Sequence, residues 1–187
     1  IPIQDNLEEI KKSFSQSERR YLNRAINDKD IAIEIGTEED LVRVNNAVKK
    51  RYESQGIKYS VPDDYLREVY KYFKEEIFIV KLTHKGEFMS GMIYVKNNNT
   101  LSFWIGGTPP IKKLPGSISL LHWWGIEQAA KLGMNKYEVM GANTEHLSTY
   151  KSKLNPELSI YFSITKKNIS GRFAEYFYKR FRKKSRI

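Results

Sequence analysis

The stretch 77–106 constrains the fold more than any other part of the chain. Three runs, 77–83, 87–96 and 100–106, are rich in β-branched and aromatic residues. Lys85-Gly86 and Asn97-Asn98-Asn99 connect them, and both are turn chemistry. Connections this short join neighbouring strands that run antiparallel, so the sequence predicts a meander. A sheet of this kind has apolar faces that need cover, and helical segments on either side in the sequence can supply it.

Those helices are legible from their period. Asn6 caps a first helix carrying Leu7, Ile10 and Phe14. Ser17-Glu18 opens a second that runs to Ile26, with Tyr21, Leu22 and Ala25 inward, and Asn27-Asp28-Lys29-Asp30 breaks it. Ile31, Ile33 and Ile35 alternate as a strand that Gly36 ends. Thr37 with Asp40 makes a capping-box start, and Leu41, Val44, Ala47, Val48 and Tyr52 carry a helix to about Ser54. Pro62 opens a further helix with Tyr65, Leu66, Val69, Tyr72 and Phe73 on one stripe.

Beyond the meander, Ser117 caps a helix over 118–132 that Gly133 closes. A strand over 136–140, a loop over 141–144 and a short helix over 145–154 follow, the last stopped by Asn155-Pro156. We expect a last strand over 158–165 and a basic helix over 170–184, with Phe173, Tyr176 and Phe177 on one side. The order is β-α-α-β-β-β-α-β-α-β behind an N-terminal helical arm. That is a mixed α/β sheet with helices on both faces.

Composition excludes several classes. None of the 187 residues is cysteine, so disulfides and thiolate metal sites are excluded and a reducing, cytoplasmic setting is expected. No apolar run approaches the roughly 20 residues that span a bilayer. The chain opens Ile-Pro-Ile-Gln-Asp, without a basic or apolar leader and without Met, so we expect a chain that is processed, trimmed or a piece of a longer protein. The net charge is +10, from 32 Lys+Arg against 22 Asp+Glu. Its excess gathers at Arg19, Arg20 and Arg24 and in the basic stretch 179–186. Such clusters point to a polyanionic partner: a tRNA, a nucleotide-sugar diphosphate or an anionic membrane surface. A solvated surface and tail would carry the same charge.

The element order resembles the GNAT (Gcn5-related N-acetyltransferase) fold, and four segments narrow the resemblance to FemAB-like proteins, the peptidoglycan-bridge aminoacyltransferases. Leu121-His122-Trp123-Trp124-Gly125-Ile126-Glu127-Gln128-Ala129-Ala130-Lys131-Leu132-Gly133 is similar to that family's W-x-x-I-x-x-A-x-x-x-G helix. Tyr137-Glu138-Val139-Met140-Gly141 resembles its Y-D-x-x-G strand end, with Glu138 for Asp. Leu147-Ser148-Thr149-Tyr150-Lys151-Ser152-Lys153-Leu154 resembles its G-x-x-x-F-K-x-x-F segment, with Tyr150 as the aromatic and Lys151 as the lysine. Arg19-Arg20-Tyr21-Leu22-Asn23-Arg24-Ala25 resembles an R-R-x-x-R-K-A run near the junction of two domains. FemAB-like proteins carry such domains in tandem. The resemblance therefore implies a helical arm over 1–28, a GNAT-like domain over 29–187 that ends in the basic helix, and a missing N-terminal domain.

The resemblance also implies a function. An acyl or aminoacyl group would pass to an amine acceptor, a small molecule or a peptide such as a cell-wall precursor. The co-substrate would be acyl-CoA or aminoacyl-tRNA, with no cofactor bound permanently. GNAT enzymes that use CoA grip its pyrophosphate with a Q/R-x-x-G-x-G/A loop before the central helix. Here 111–117 reads Ile-Lys-Lys-Leu-Pro-Gly-Ser, with one glycine instead of two. Lys112, Lys113, Gly116 and Ser117 remain to hold phosphate.

Lys151 is the candidate catalytic charge, facing the oxyanion of the tetrahedral intermediate. Tyr150, Asn143, Glu145 and His146 lie where the family places substrate. Trp104 ends the third meander strand beside Gly106 and Gly107, where a ligand can approach the backbone. Arg19, Arg20 and Arg24 match phosphate geometry. A plainer role stands open for each: an exposed helix lysine, a core tryptophan, helix caps, a solvated arginine face. The three histidines lack metal-ligand spacing, so no metal is expected. His122 is expected to pack and His84 to be solvated. The alternative function is a catalytically silent GNAT-like module that binds tRNA or another polyanion, or docks a partner domain.

Overall fold

The computed structural model describes residues 1–3, 6–110, 112–162, 164, 166, 171 and 173. The chain divides into two compact units, Ile1–Glu157 and Leu158–Ile187. The first unit runs α1 (Leu7–Ser13), α2 (Gln16–Ile26), β1 (Ile31–Ile35), α3 (Glu38–Ser54), α4 (Asp63–Tyr72), β2 (Ile77–His84), β3 (Glu87–Asn97) and β4 (Thr100–Gly106). It continues with α5 (Ser117–Lys131), β5 (Lys136–Glu138) and α6 (Glu145–Lys151), which a 3-10 turn, Ser152–Leu154, extends. The strands form one sheet in the order β1-β2-β3-β4-β5. The expected meander is present: β1 to β4 pair antiparallel. β5 joins parallel to β4.

Alternation along the strands sends side chains to two cores. Val80, Leu82, Met92, Tyr94 and Leu101 face Phe14, Leu22, Leu121 and Ile126, beneath α1, α2 and α5. Ile77, Ile79 and Ile93 face Leu41, Val44 and Leu66, beneath α3 and α4. The first unit is thus a mixed sheet sandwiched between helices. β4 breaks the alternation once. Ile93 pairs with Ile105 and Tyr94 with Phe103, so Trp104 is an extra, bulged residue. The bulge puts Trp104 and Ile105 on the α3/α4 side, while Leu101 and Phe103 keep to the α5 side.

Local chemistry explains the ends. The Thr37–Asp40 capping box forms at α3. The expected cap of α5 moves by one: Gly116 is the N-cap, at φ +87, and Ser117 is the first helical residue. A Cβ on Gly116 would lie 2.1 Å from the Tyr21 carbonyl oxygen, so the close passage of α2 leaves room only for glycine. β5 stops at Glu138 rather than at residue 140. Its outer edge is taken by the start of the chain: Pro2 bridges Lys136, and Ile1 exchanges two hydrogen bonds of 2.9 Å with Tyr137.

The expected last strand is corrected. In the second unit, residues 158–162 and 164 belong to no strand, and Leu158, Ile160, Phe162 and Ile164 are exposed. The basic helix expected over 170–184 lies outside the described residues, apart from Gly171 and Phe173, which are helical. Among the described residues no helix is long and apolar enough to cross a membrane.

Candidate active site

Strands β4 and β5 are paired over three positions: Thr100↔Lys136, Leu101↔Tyr137 and Ser102↔Glu138. β4 then runs on to Gly106 while β5 has ended, so the two part beyond Ser102 and Glu138. Parallel strands that part expose backbone groups with no ladder partner, and ligands of α/β sheets bind at such places. At the parting, Ser102 Oγ donates to Glu138 Oε2 at 2.9 Å.

Lys151 reaches this place from the end of α6. It is 8% exposed, so the reading of an ordinary exposed helix lysine is set aside. Its ammonium donates to the Met140 carbonyl and, at 2.7 Å, to the Gly141 carbonyl. It also lies 5.6 Å from the Phe103 ring centroid on β4. One ammonium therefore ties the loop after β5 to β4. Burial holds its pKa below the ordinary lysine value. An ammonium has three N–H donors, and the two carbonyls occupy two.

His122 of α5 stands behind Lys151. Its Nδ1 is 2.7 Å from Tyr137 Oη, its ring is edge-on to Phe103 at 5.3 Å, and Tyr150 lies 6.4 Å away. It packs in the core as expected, 1% exposed. Burial first, and then the Lys151 charge, push its pKa down to about 3, so it is neutral at physiological pH. Burial pushes the Tyr94 and Tyr137 phenols up, and burial followed by the Glu18 charge does the same to Tyr150. The wall of the site is thus a set of protonated phenols and a neutral imidazole, with Lys151 beside them.

The N-terminus of α5 offers the means to hold an anion. No side chain caps its first turn, the Ser117 N–H donates to the Leu114 carbonyl at 3.2 Å, and the positive end of the dipole of a 15-residue helix lies here. Lys113 is exposed nearby in sequence, while Lys112 is already bonded to Glu87 at 2.5 Å. Ser117 is 2% exposed. Of the four residues expected to hold phosphate, Lys113 is the exposed one without a bond to Glu87, and Gly116 serves the packing of α2.

The other residues expected at the site are dispersed. Trp104 faces α3 and α4, on the opposite side of the sheet from Phe103. Asn143, Glu145 and His146 are exposed at the start of α6, where Thr144 is the N-cap. Arg19 donates to the carbonyls of Lys12 (2.6 Å) and Phe14 (2.5 Å), closing the end of α1. Arg20 lies over its neighbour Tyr21, and Arg24 is exposed. His84 is half-buried rather than solvated, 3.9 Å from Asp28. Sequence reasoning missed the Tyr137 contact of His122, the Ser102–Glu138 bond and the burial of Glu18. The Ser-x-x-Glu pattern at 15–18 was the available signal for the last.

Comparison with solved structures supports this architecture. The chain is similar to FemX, with a TM-score of 0.67 and 13% identity, over 81% of this chain and 56% of FemX. It therefore spans little more than half of that structure's length. It is also similar to the aminoglycoside acetyltransferase meta-AAC0020, from an uncultured soil metagenomic sample and solved with sisomicin (TM-score 0.58, 12% identity, 75% of this chain and 99% of that one). An acetyltransferase of Trypanosoma brucei matches at a TM-score of 0.53 and 13% identity, over 74% of this chain and all of that one (100%). No curated protein matches the sequence. The acetyltransferase (GNAT) domain model matches residues 12–152, from the end of α1 to the first residue beyond α6. Helix α2, the sheet and the parted strands thus fall inside one match to well over half of the chain, and the chain belongs to the GNAT acetyltransferase domain family, whose acetyltransferases use acyl-CoA as co-substrate.

Proposed function

We propose that this domain transfers an acyl group to a primary amine, and that in the full-length protein the group is an aminoacyl group passed in the FemAB-like manner. The observation that carries the reading is the buried Lys151 ammonium where β4 and β5 part. Amide formation makes one N–C bond and breaks the bond from the acyl carbon to the donor's sulfur or oxygen. The amine proton leaves with solvent or with the departing group. Negative charge collects on the carbonyl oxygen in between, and a fixed cation in a dry site stabilises it. Lys151 has one N–H beyond its two carbonyl bonds for this role. The first turn of α5 and Lys113 would hold the diphosphate of an acyl-CoA.

The FemX likeness, over little more than half of that chain, supports a further domain adjoining this one in the full-length protein. A cell-wall peptide precursor as acceptor, and aminoacyl-tRNA as donor, belong to the same proposal. The charge of +10 supports a second reading, a module that holds tRNA or an anionic membrane surface.

A thermal-shift titration with acetyl-CoA, CoA and a nucleotide-sugar diphosphate tests the donor and acceptor classes. Stabilisation by CoA compounds supports acyl-CoA use. Stabilisation by the nucleotide sugar alone supports the cell-wall reading. No shift with any of them, together with steeply salt-dependent tRNA binding, would replace transfer by the polyanion module.

A further inference from the structure

Helix α2 begins Ser15-Gln16-Ser17-Glu18, the Ser-x-x-Glu pattern of a capping box. One half of the box forms: Ser15 Oγ accepts from the Glu18 N–H at 3.3 Å. The reciprocal half does not. The Ser15 N–H, which the glutamate would cap, donates instead to the Lys153 carbonyl at 2.8 Å. The Glu18 carboxylate is thereby released from the duty that ordinarily keeps it at a helix end. It is 3% exposed, and its Oε1 has no hydrogen-bond partner.

The Tyr150 hydroxyl is also buried and without a partner. A buried polar atom left unpaired is costly, so two in one region call for a common explanation. Their chemistry is complementary: a carboxylate accepts and a phenol donates. The two are within electrostatic reach, since the Glu18 charge is felt at Tyr150. Tyr150 in turn stands beside His122 and directly precedes Lys151.

We infer that Glu18 is a positioning residue of the transfer site, acting through the Tyr150 hydroxyl to fix the Tyr150–His122 wall against which Lys151 is set. The helical arm then grips the α6 end twice, by Ser15 on Lys153 and by Glu18 on Tyr150. What the wall does rests on the proposed transfer reaction; the Glu18–Tyr150 link does not.

The test uses Glu18→Gln, Tyr150→Phe and the double variant in the full chain. Glu18→Gln keeps the shape and removes the charge; Tyr150→Phe keeps the ring. Coupled residues lose their interaction once, so the double variant should melt no lower than the worse single variant. The ring ¹⁵N signals of His122 should move in both single variants. Melting-point losses that add, or His122 signals that stay in place, overturn the link. If Glu18→Gln fails to fold, Glu18→Asp takes its place in the same comparison, since it withdraws the carboxylate from Tyr150 while keeping the charge. With acetyl-CoA and a lysine-rich peptide, kcat of Glu18→Gln should fall roughly 10- to 100-fold while KM for acetyl-CoA holds. A raised KM at unchanged kcat overturns the positioning role. A parent chain that transfers nothing sinks the transfer reading, and the melting points and His122 signals still judge the link.

Discussion

His122 Nδ1 and Tyr137 Oη meet at 2.7 Å in a buried contact between the central helix and the last strand of the sheet. Two ionisable groups are thereby held uncharged in the core. The burial that drives the imidazole pKa down drives the phenol pKa up. The helix and the strand that flank the site are joined by a bond between two neutral groups, and burial disfavours charging either.

That contact sets a pH dependence of stability. The unfolded chain takes up a proton on His122 near 6.5, and the folded chain resists it until about 3. Between those values the unfolded state binds more protons, so stability falls as pH drops, by up to about 1.4 kcal/mol per pH unit from this residue. Denaturant titrations at pH 7 and pH 5 should show the loss, and His122→Asn should flatten it. An equal slope in the variant would assign the loss to other groups.

Gly125→Ala should destabilise, against the usual trend. In a helix interior this change ordinarily gains about 1 kcal/mol. Here an added Cβ would lie 2.6 Å from Tyr137 and 2.8 Å from Tyr94, both buried rings. Overpacking of this kind costs typically about 1–3 kcal/mol, so the net sign reverses. A melting curve that shifts upward would show that the two tyrosines yield.

Lys151→Ala should reduce acyl transfer on the order of 10²-fold, the usual cost of removing one oxyanion donor. The variant also strips the Met140 and Gly141 carbonyls of their donor, so rates are to be compared well below its melting point. Transfer at the parent rate would leave Lys151 as a structural brace only.

The three arginines of α2 should separate by role. Arg19→Ala removes two bonds to the end of α1 and should lower the melting point. Arg20→Ala and Arg24→Ala should leave stability within about 0.5 kcal/mol. If the arm binds a polyanion, each of these two should instead reduce the salt dependence of tRNA affinity. An unaltered slope in both would remove them from any such surface.

What was legible in the sequence was local. The meander was visible because Lys85, Gly86 and Asn98 take positive φ in turns whose composition announces them. The Thr37 box and the stripe of Leu41 and Val44 were visible for the same reason. Features set by tertiary contact were not. The α5 cap depends on the Tyr21 carbonyl pressing on Gly116, and nothing near Gly116 in sequence reports that approach. Trp104 was a site candidate because Gly106 and Gly107 follow it, and nothing in that run announces the bulge that puts it on the α3/α4 side. Residues 158–165 have the composition of a strand, but composition does not show whether a run pairs with a neighbour. Lys151 was found by resemblance; its burial came from the fold.

The pairing of Ile1 with Tyr137 has a consequence for how the domain assembles. It joins backbone groups 136 residues apart, whereas the meander closes through hairpins. Loop closure makes the long connection slower to find, so the hairpins form early and the outer edge of β5 is sealed late. During that interval β5 presents open backbone to any passing strand. A strand of three residues is thus left open while the hairpins beside it are already closed.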